Sequence, residues 1–416
     1  MTGLIIFFLL IILTLPFLLL PIIVVGYIYV KPKTKILFCA LVSLLFGIAG
    51  YWFIHPATDP DLVRYLEMLN RYSEKNLVES FNLVYTNLYA VDIYFYFISK
   101  LGNEQLLPAI SVFIFYFIVL YILTDYKIRI GANRKEFLVY TIFMLTSINF
   151  CTIVNGIRWP LAFIIFFLAF YREIIQEKRN FITYFLYIAS LLFHFFTIVF
   201  LLLRLILFIK NKKIIIAIGA FASVTPQIIN VLALSLSGAT SSFFIINQII
   251  YSITRANMYF QWKEGGWADT VRNSGYYQLE GGFYYLVVIL FILIMIKIYK
   301  QRNRCPVTKK QKWMMEEIFA FYLLITTLIS FTMSAHTYIR FVIPLIVWFS
   351  LIVFKMQHEI NSITFKRVIN VNLLLLSVVG IFLNIYLLRS MIDLGSYFAN
   401  ILSTGLITRI LETITK

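Results

Sequence analysis

Long apolar runs alternate with short polar clusters along the whole chain, and most of the runs are long enough to cross a hydrocarbon core of ~30 Å as an α-helix. Reading them in order predicts membrane spans at 3–30, 35–54, 105–124, 137–153, 157–171, 214–235, 283–299, 316–335, 338–354 and 368–388. The first run lacks a cationic lead and a small-residue cleavage site, so it reads as a retained span rather than a signal peptide. Pro16 and Pro21 should kink it. The stretch 181–209 is long for one span and basic at both ends, with Arg172, Lys178 and Arg179 before it and Lys210, Lys212 and Lys213 after. Two half-length helices turning near His194 would return both basic ends to one side, and a re-entrant hairpin is therefore expected.

With that hairpin, the basic clusters at 31–35, 125–136, 172–179, 204–213, 297–312 and 355–367 share one face, which holds 24 of the 36 Lys and Arg residues. Excess positive charge marks the cytoplasmic side. Both termini are then external, as are loops at about 55–104 and 236–282. Within the first loop, Tyr85 to Lys100 is amphipathic and suited to the interface. The tail 390–416 places Leu394, Phe398, Ile401, Ile407, Ile410 and Ile414 at helical spacing and reads as a second interfacial helix. The expected architecture is an all-α polytopic membrane protein, one integral domain of about ten spanning helices plus the hairpin, with no soluble domain.

Composition agrees. The 416 residues are 61% hydrophobic and only 13% charged, with mean hydropathy +0.87, against about 25% charged in soluble domains. A net charge of +17 would suit a nucleic-acid binder, but the cations sit in clusters between apolar runs. They report topology, and no nucleic-acid partner is expected. Cys39, Cys151 and Cys305 are far apart and form no CxxC pair, so they read as free thiols with neither disulfides nor a metal site. No P-loop, zinc motif or GxSxG occurs, and no cofactor is expected.

The external cations differ in kind from the cytoplasmic ones. Outside stand eight arginines (64, 71, 158, 255, 272, 340, 389 and 409) against four lysines; inside, eight arginines against sixteen lysines. Outward arginines oppose the topology rule, and a planar guanidinium suits bidentate contact with phosphate. Salt-bridging to the twelve external acids is the alternative for any one of them. Arg158 and Arg340 each open an apolar helix, where charge near hydrocarbon is expensive and marks function, unless the side chain only snorkels to headgroups. His194 lies within Leu192-Phe193-His194-Phe195-Phe196 and is a candidate general base or else a core histidine. His336, four residues before Arg340, is a second base candidate. Asp59-Pro60-Asp61, followed by Arg64 and Tyr65, is either a paired-carboxylate site or a turn. The aromatics of 236–282 could stack on sugars or form an interfacial belt.

Taken together, Asp59-Pro60-Asp61-Leu62-Val63-Arg64-Tyr65, Leu106-Leu107-Pro108, Asn155 to Ala162, Leu192-Phe193-His194 and Tyr338-Ile339-Arg340-Phe341 resemble EpsG-like members of the Wzy-type bacterial polysaccharide polymerases, which serve capsule, exopolysaccharide or O-antigen assembly. The order of features along most of the chain carries the resemblance more than any single motif. It implies an enzyme of the bacterial cytoplasmic membrane whose substrate is an oligosaccharide on undecaprenyl pyrophosphate at the outer leaflet. The growing glycan would pass to the terminal sugar hydroxyl of another lipid-linked unit. Membrane lipids, a chain-length regulator and a flippase are the implied partners. Arg158 and Arg340 would hold the pyrophosphate, His194 (or His336 or Asp61) would take the acceptor proton, and Arg64, Tyr65, Asp59, Arg255 and Arg272 would contact substrate. A ligase or another lipid-glycan glycosyltransferase shares these features. A flippase without chemistry would instead need inverted repeats and broken helices.

Overall fold

The computed structural model describes residues 20–54, 61–82, 89–207, 274–303, 314–333, 338–359 and 362–403, with isolated positions between 209 and 254. The start of the 3–30 run, almost all of 214–235, most of the 236–282 loop, the tail past 403, Cys305, Asp59, Arg255, Arg272 and His336 lie outside the described residues. Regular structure among the described residues is entirely helical. The helices are α1 (Leu20–Ile28), α2 (Lys35–Tyr51), α3 (Asp61–Ser73), α4 (Leu77–Asn82), α5 (Tyr89–Ser99), α6 (Leu106–Ile130), α7 (Arg134–Ser147), α8 (Phe150–Gly156), α9 (Arg158–Ile174), α10 (Phe181–Phe193), α11 (Ile198–Ile206), α12 (Gly275–Asn303), α13 (Met315–Met333), α14 (Ile339–Glu359), α15 (Ile363–Met391) and α16 (Leu394–Ser403).

Among the described residues, α6, α12 over Tyr277–Lys297, α14 and α15 are long and apolar enough to cross a bilayer, and the pair α7–α8 makes a fifth span if counted as one. Several shorter apolar helices accompany them. The chain is a polytopic α-helical membrane protein. It divides into two compact units: 1–172, 179–194 and 380–416 in the first, 173–178 and 195–379 in the second.

In the first unit α2 packs along α6 at close range. A Cβ on Gly47 would lie 3.1 Å from the Ala109 carbonyl oxygen, and one on Gly50 3.0 Å from that of Pro108. Small residues let membrane helices approach in this way. Helix α6 runs beyond the predicted end at 124, because its last turns are electrically satisfied. Asp125 accepts from Lys35, from Arg129 Nε at 2.6 Å and from the Tyr171 hydroxyl at 2.8 Å. Lys127 and Arg129 complement the helix C-terminus.

The predicted span 137–153 is not one straight helix. It breaks into α7 and α8, bent by 56°, because Ile148 turns extended and Asn149 caps α8 by accepting from Thr152 N. The broken backbone is satisfied by one side chain. Asn384 accepts from Phe150 N at 2.8 Å and donates to the Thr146 carbonyl at 2.8 Å, spanning the break. Inside a bilayer such groups must find protein partners.

The segment 181–209 also breaks where expected, at His194, whose extended backbone ends α10 before a single 3₁₀ turn leads into α11. Arg172, near the end of α9, donates to Thr183 and Asn180 at 3.3 Å each. Its neighbour Glu173 accepts a two-pronged bond from Arg204 near the end of α11, at 2.6 and 2.7 Å.

The first loop carries more structure than its predicted interfacial helix. Besides α5, helix α3 buries Leu62, Tyr65, Met68, Leu69 and Tyr72 along one stripe. Lys100 closes its C-terminal end by donating to the carbonyls of Tyr72, Ser73 and Lys75. Helix α16 occupies part of the predicted C-terminal amphipathic segment. Asp393 caps it, accepting from Ser396 N, and the Tyr397 hydroxyl reaches the Ala49 carbonyl at 3.0 Å. Cys39 and Cys151 are both buried, and the Cys39 thiol donates to the Thr124 hydroxyl at 3.5 Å.

In the second unit α14 is almost wholly buried. Its Trp348 indole donates to the Glu316 carbonyl at 3.0 Å, and Lys355 reaches the Glu316 carboxylate at 2.9 Å. Phe291 of α12 stacks on Phe349, with centroids 4.2 Å apart.

Candidate active site

The site begins at an elbow. Helix α8 ends at Gly156 and α9 begins at Arg158, so a single residue, Ile157, makes the turn with φ 22° and ψ −62°. A β-branched residue at positive φ is an outlier that costs about 1–3 kcal/mol and persists only where its surroundings enforce it. Gly156 permits the enforcement. Trp159 folds back across it so closely that a Cβ would lie 2.5 Å from the indole nitrogen. Pro160, in the first turn of α9, has no amide hydrogen to leave unsatisfied. The elbow presents Arg158 half-buried at the helix start.

Around Arg158 the first unit closes a circuit of rings. Its guanidinium carbon sits 5.6 Å from the centroid of the Tyr65 ring, a cation–π distance. Tyr65 packs on Phe95 at 5.4 Å, Phe95 on Tyr94 at 6.0 Å, and Tyr94 on Phe193 at 5.8 Å. From the neighbouring His194 the chain returns through Phe163 at 6.4 Å to Trp159 at 5.4 Å. Arg158 and His194, predicted from unrelated stretches, therefore belong to one aromatic cluster. His194 is half-buried within it.

Asp92 is the residue that sequence reasoning missed. It lies on α5, is 2% exposed, and is within electrostatic reach of Arg158. Tyr72 donates to its Oδ1 at 2.8 Å, while Oδ2 has no hydrogen-bond partner among the described residues. Burial pushes the Asp92 carboxyl above its ordinary value, against the Tyr72 hydrogen bond and the Arg158 charge, which pull it down. The available signal was a lone acid in the apolar run Ala90 to Ser99. Its partner Tyr72, twenty residues earlier, carries no signal of its own.

The other candidates are placed differently. Tyr65 is buried in the cluster, whereas Arg64 and Asp61 pair with each other at 2.5 Å on the outer side of α3, both nearly half exposed. Exposed pairs of this kind contribute little stability. Arg340 belongs to the second unit. It opens α14 with its guanidinium carbon 5.8 Å from the Phe196 ring centroid. Phe341 beside it packs on Phe196 at 5.2 Å and on Phe200 at 6.0 Å. Tyr338 stacks on Phe331 at 4.5 Å and lies so near Gly281 that a Cβ there would meet its hydroxyl at 2.9 Å. Each arginine thus stands at the start of an apolar helix, over an aromatic face.

No curated protein and no solved structure matches the chain. A family model described as the EpsG family matches residues 35–398, a range that contains Arg158, Asp92, His194 and Arg340. The chain belongs to the EpsG family, whose membership points to a glycosyltransferase-like polysaccharide polymerase.

Proposed function

We propose that this protein lengthens a glycan carried on undecaprenyl pyrophosphate at the outer face of the bacterial cytoplasmic membrane. A hydroxyl oxygen of the acceptor sugar bonds to the anomeric carbon of the donor glycan, the anomeric bond to pyrophosphate breaks, and the hydroxyl proton goes to a base. The observation that carries this reading is Arg158, held half-buried at a strained helix start inside the aromatic circuit. As the lipid pyrophosphate departs, charge concentrates on its oxygens, and a prearranged guanidinium stabilises it there. Asp92 is a positioning residue that holds the Arg158 charge in place. His194 takes the acceptor proton, and the half-buried rings of Tyr94 and Phe193 stack on sugar. Arg340 engages the anionic carrier on the strength of its own setting over Phe196. Arg64, Tyr65, Asp59, Asp61, Arg255, Arg272 and His336 serve as substrate contacts or, for His336, a reserve base.

The pair of Glu173 with Arg204 supports the re-entrant hairpin, since it holds the end of α11 beside the end of α9. That arrangement fits external termini and a cytoplasmic position for the basic clusters.

A second reading, a carrier of lipid-linked glycan without chemistry, is favoured by the broken helices α7–α8 and α10–α11. Purified protein incubated with a lipid-linked oligosaccharide separates the two. Polymerisation gives a ladder of longer chains, which Arg158→Ala should slow by on the order of 10²–10³. Movement of substrate across vesicles with no lengthening would replace the proposal by the carrier.

A further inference from the structure

A different cluster of cations stands at the opposite end of α6. Ser111, bonded to Tyr94 of the aromatic circuit at 2.8 Å, marks the end near Arg158. Lys127 lies sixteen residues along the same helix, about 24 Å away at 1.5 Å per residue. There, a cleft of about 550 Å³ opens between the residues after α1 and the α6–α7 connection. Lys31, Lys127, Arg134 and Lys135 line it, together with Tyr29 and Asn133, and no acid among the described residues does.

Lys127 is only 8% exposed, yet among the described residues no carboxylate pairs with it. Its ammonium reaches the Ile28 carbonyl at 3.4 Å and lies 4.6 Å from the Phe137 ring centroid. The charged group acting on it most is Arg134, of like sign. Arg134 is itself held at the rim over Tyr29, 4.2 Å from the ring centroid. Of the acids at this end, Asp125 is engaged by Lys35, Arg129 and Tyr171, and the buried Glu136 lies outside the lining. The first turn of α7, capped by Asn133, stands at the same cleft, with Asn133, Arg134 and Lys135 in its lining. A buried ammonium without a counter-charge is costly, and a bound anion would remove that cost while using the Arg134 fork and the helix start.

We propose that this cleft binds a phosphate group, separately from the Arg158 site and at the opposite end of the first unit. Two sources share that chemistry, the headgroup of an anionic phospholipid and a soluble phosphate. The test uses the full-length protein in an uncharged detergent, titrated with phosphatidylglycerol, phosphatidylcholine or inorganic phosphate, with sodium chloride at equal ionic strength as control. Binding is read as a rise in the unfolding temperature. The expected result is saturable binding of phosphatidylglycerol or inorganic phosphate, weakened at least about tenfold in both Lys127→Met and Arg134→Gln, with phosphatidylcholine and chloride inert. Saturation by phosphatidylglycerol alone identifies a lipid headgroup, and saturation by inorganic phosphate identifies a soluble ligand. Arg134 is exposed, so its variant reports binding even if the Lys127 variant does not fold. Absence of binding by both probes, or wild-type affinity in either folded variant, would overturn the proposal.

Discussion

The Tyr72 hydroxyl donates to Asp92 Oδ1 at 2.8 Å, tying α3 to α5 within electrostatic reach of Arg158. Two helices of a loop between membrane spans are thereby joined through a buried acid, which feels the charge of the arginine to which the chemistry is assigned.

Asp92 should give the protein a measurable pH dependence. Burial raises its folded carboxyl pKa above the ordinary 3.8, so over that window the folded state holds the proton while the unfolded chain releases it. Stability from this group is full below the ordinary value and is lost as pH rises through the raised one. Unfolding temperatures of the detergent-solubilised protein, taken across about pH 4 to 7, should fall with pH more steeply for wild type than for Asp92→Asn. Equal slopes would show that the acid is not held as described.

Gly156→Ala should disturb the elbow. The added methyl would meet Trp159 at 2.5 Å, and overpacking of this kind costs about 1–3 kcal/mol. Gly275→Ala is the comparison, since no described residue lies within 4 Å of where a Cβ would stand, and surface changes away from special features stay within about 0.5 kcal/mol. Denaturation of both variants beside wild type measures the difference, and equal stability would remove the steric role of Gly156.

Asn384→Leu should strand two backbone groups at the α7–α8 break, the Phe150 amide and the Thr146 carbonyl. Each unsatisfied buried group costs about 1–3 kcal/mol, so a large loss of unfolding temperature is expected. A neutral effect would mean that other groups close the break.

The ion pair between Arg204 and Glu173 predicts a topology. Cysteines placed at Asn180 and at Leu205, both exposed, should react with an impermeant thiol reagent from the same side of the membrane. Reaction from opposite sides would replace the hairpin by a single crossing.

Much of the architecture was legible because lipid leaves a chain few options. The starts of α6 at Leu106, α9 at Arg158 and α14 at Ile339 fall within about a residue of where the apolar runs begin. The break at His194 followed from an over-long run with basic flanks. Helix α3 was also present as a pattern, since Leu62, Tyr65, Leu69 and Tyr72 recur at helical spacing, but it sits among charges that read as loop. The α7–α8 bend had only the short signal Ser147-Ile148-Asn149. Its support by Asn384, more than two hundred residues away, is a matter of tertiary structure. For the site, arginine at a helix start and histidine in an apolar run were readable as costly placements. The aromatic circuit joining them, and the buried acid behind Arg158, depend on packing between helices that no local spacing encodes.

The most direct test of the account is the rate of glycan lengthening by purified Arg158→Lys and Arg158→Ala with a lipid-linked oligosaccharide. Lysine keeps the charge but loses the guanidinium fork. The account predicts that both variants still fold and that both lose on the order of 10²-fold or more in rate, with lysine recovering little. Lengthening by Arg158→Ala at the wild-type rate would contradict it.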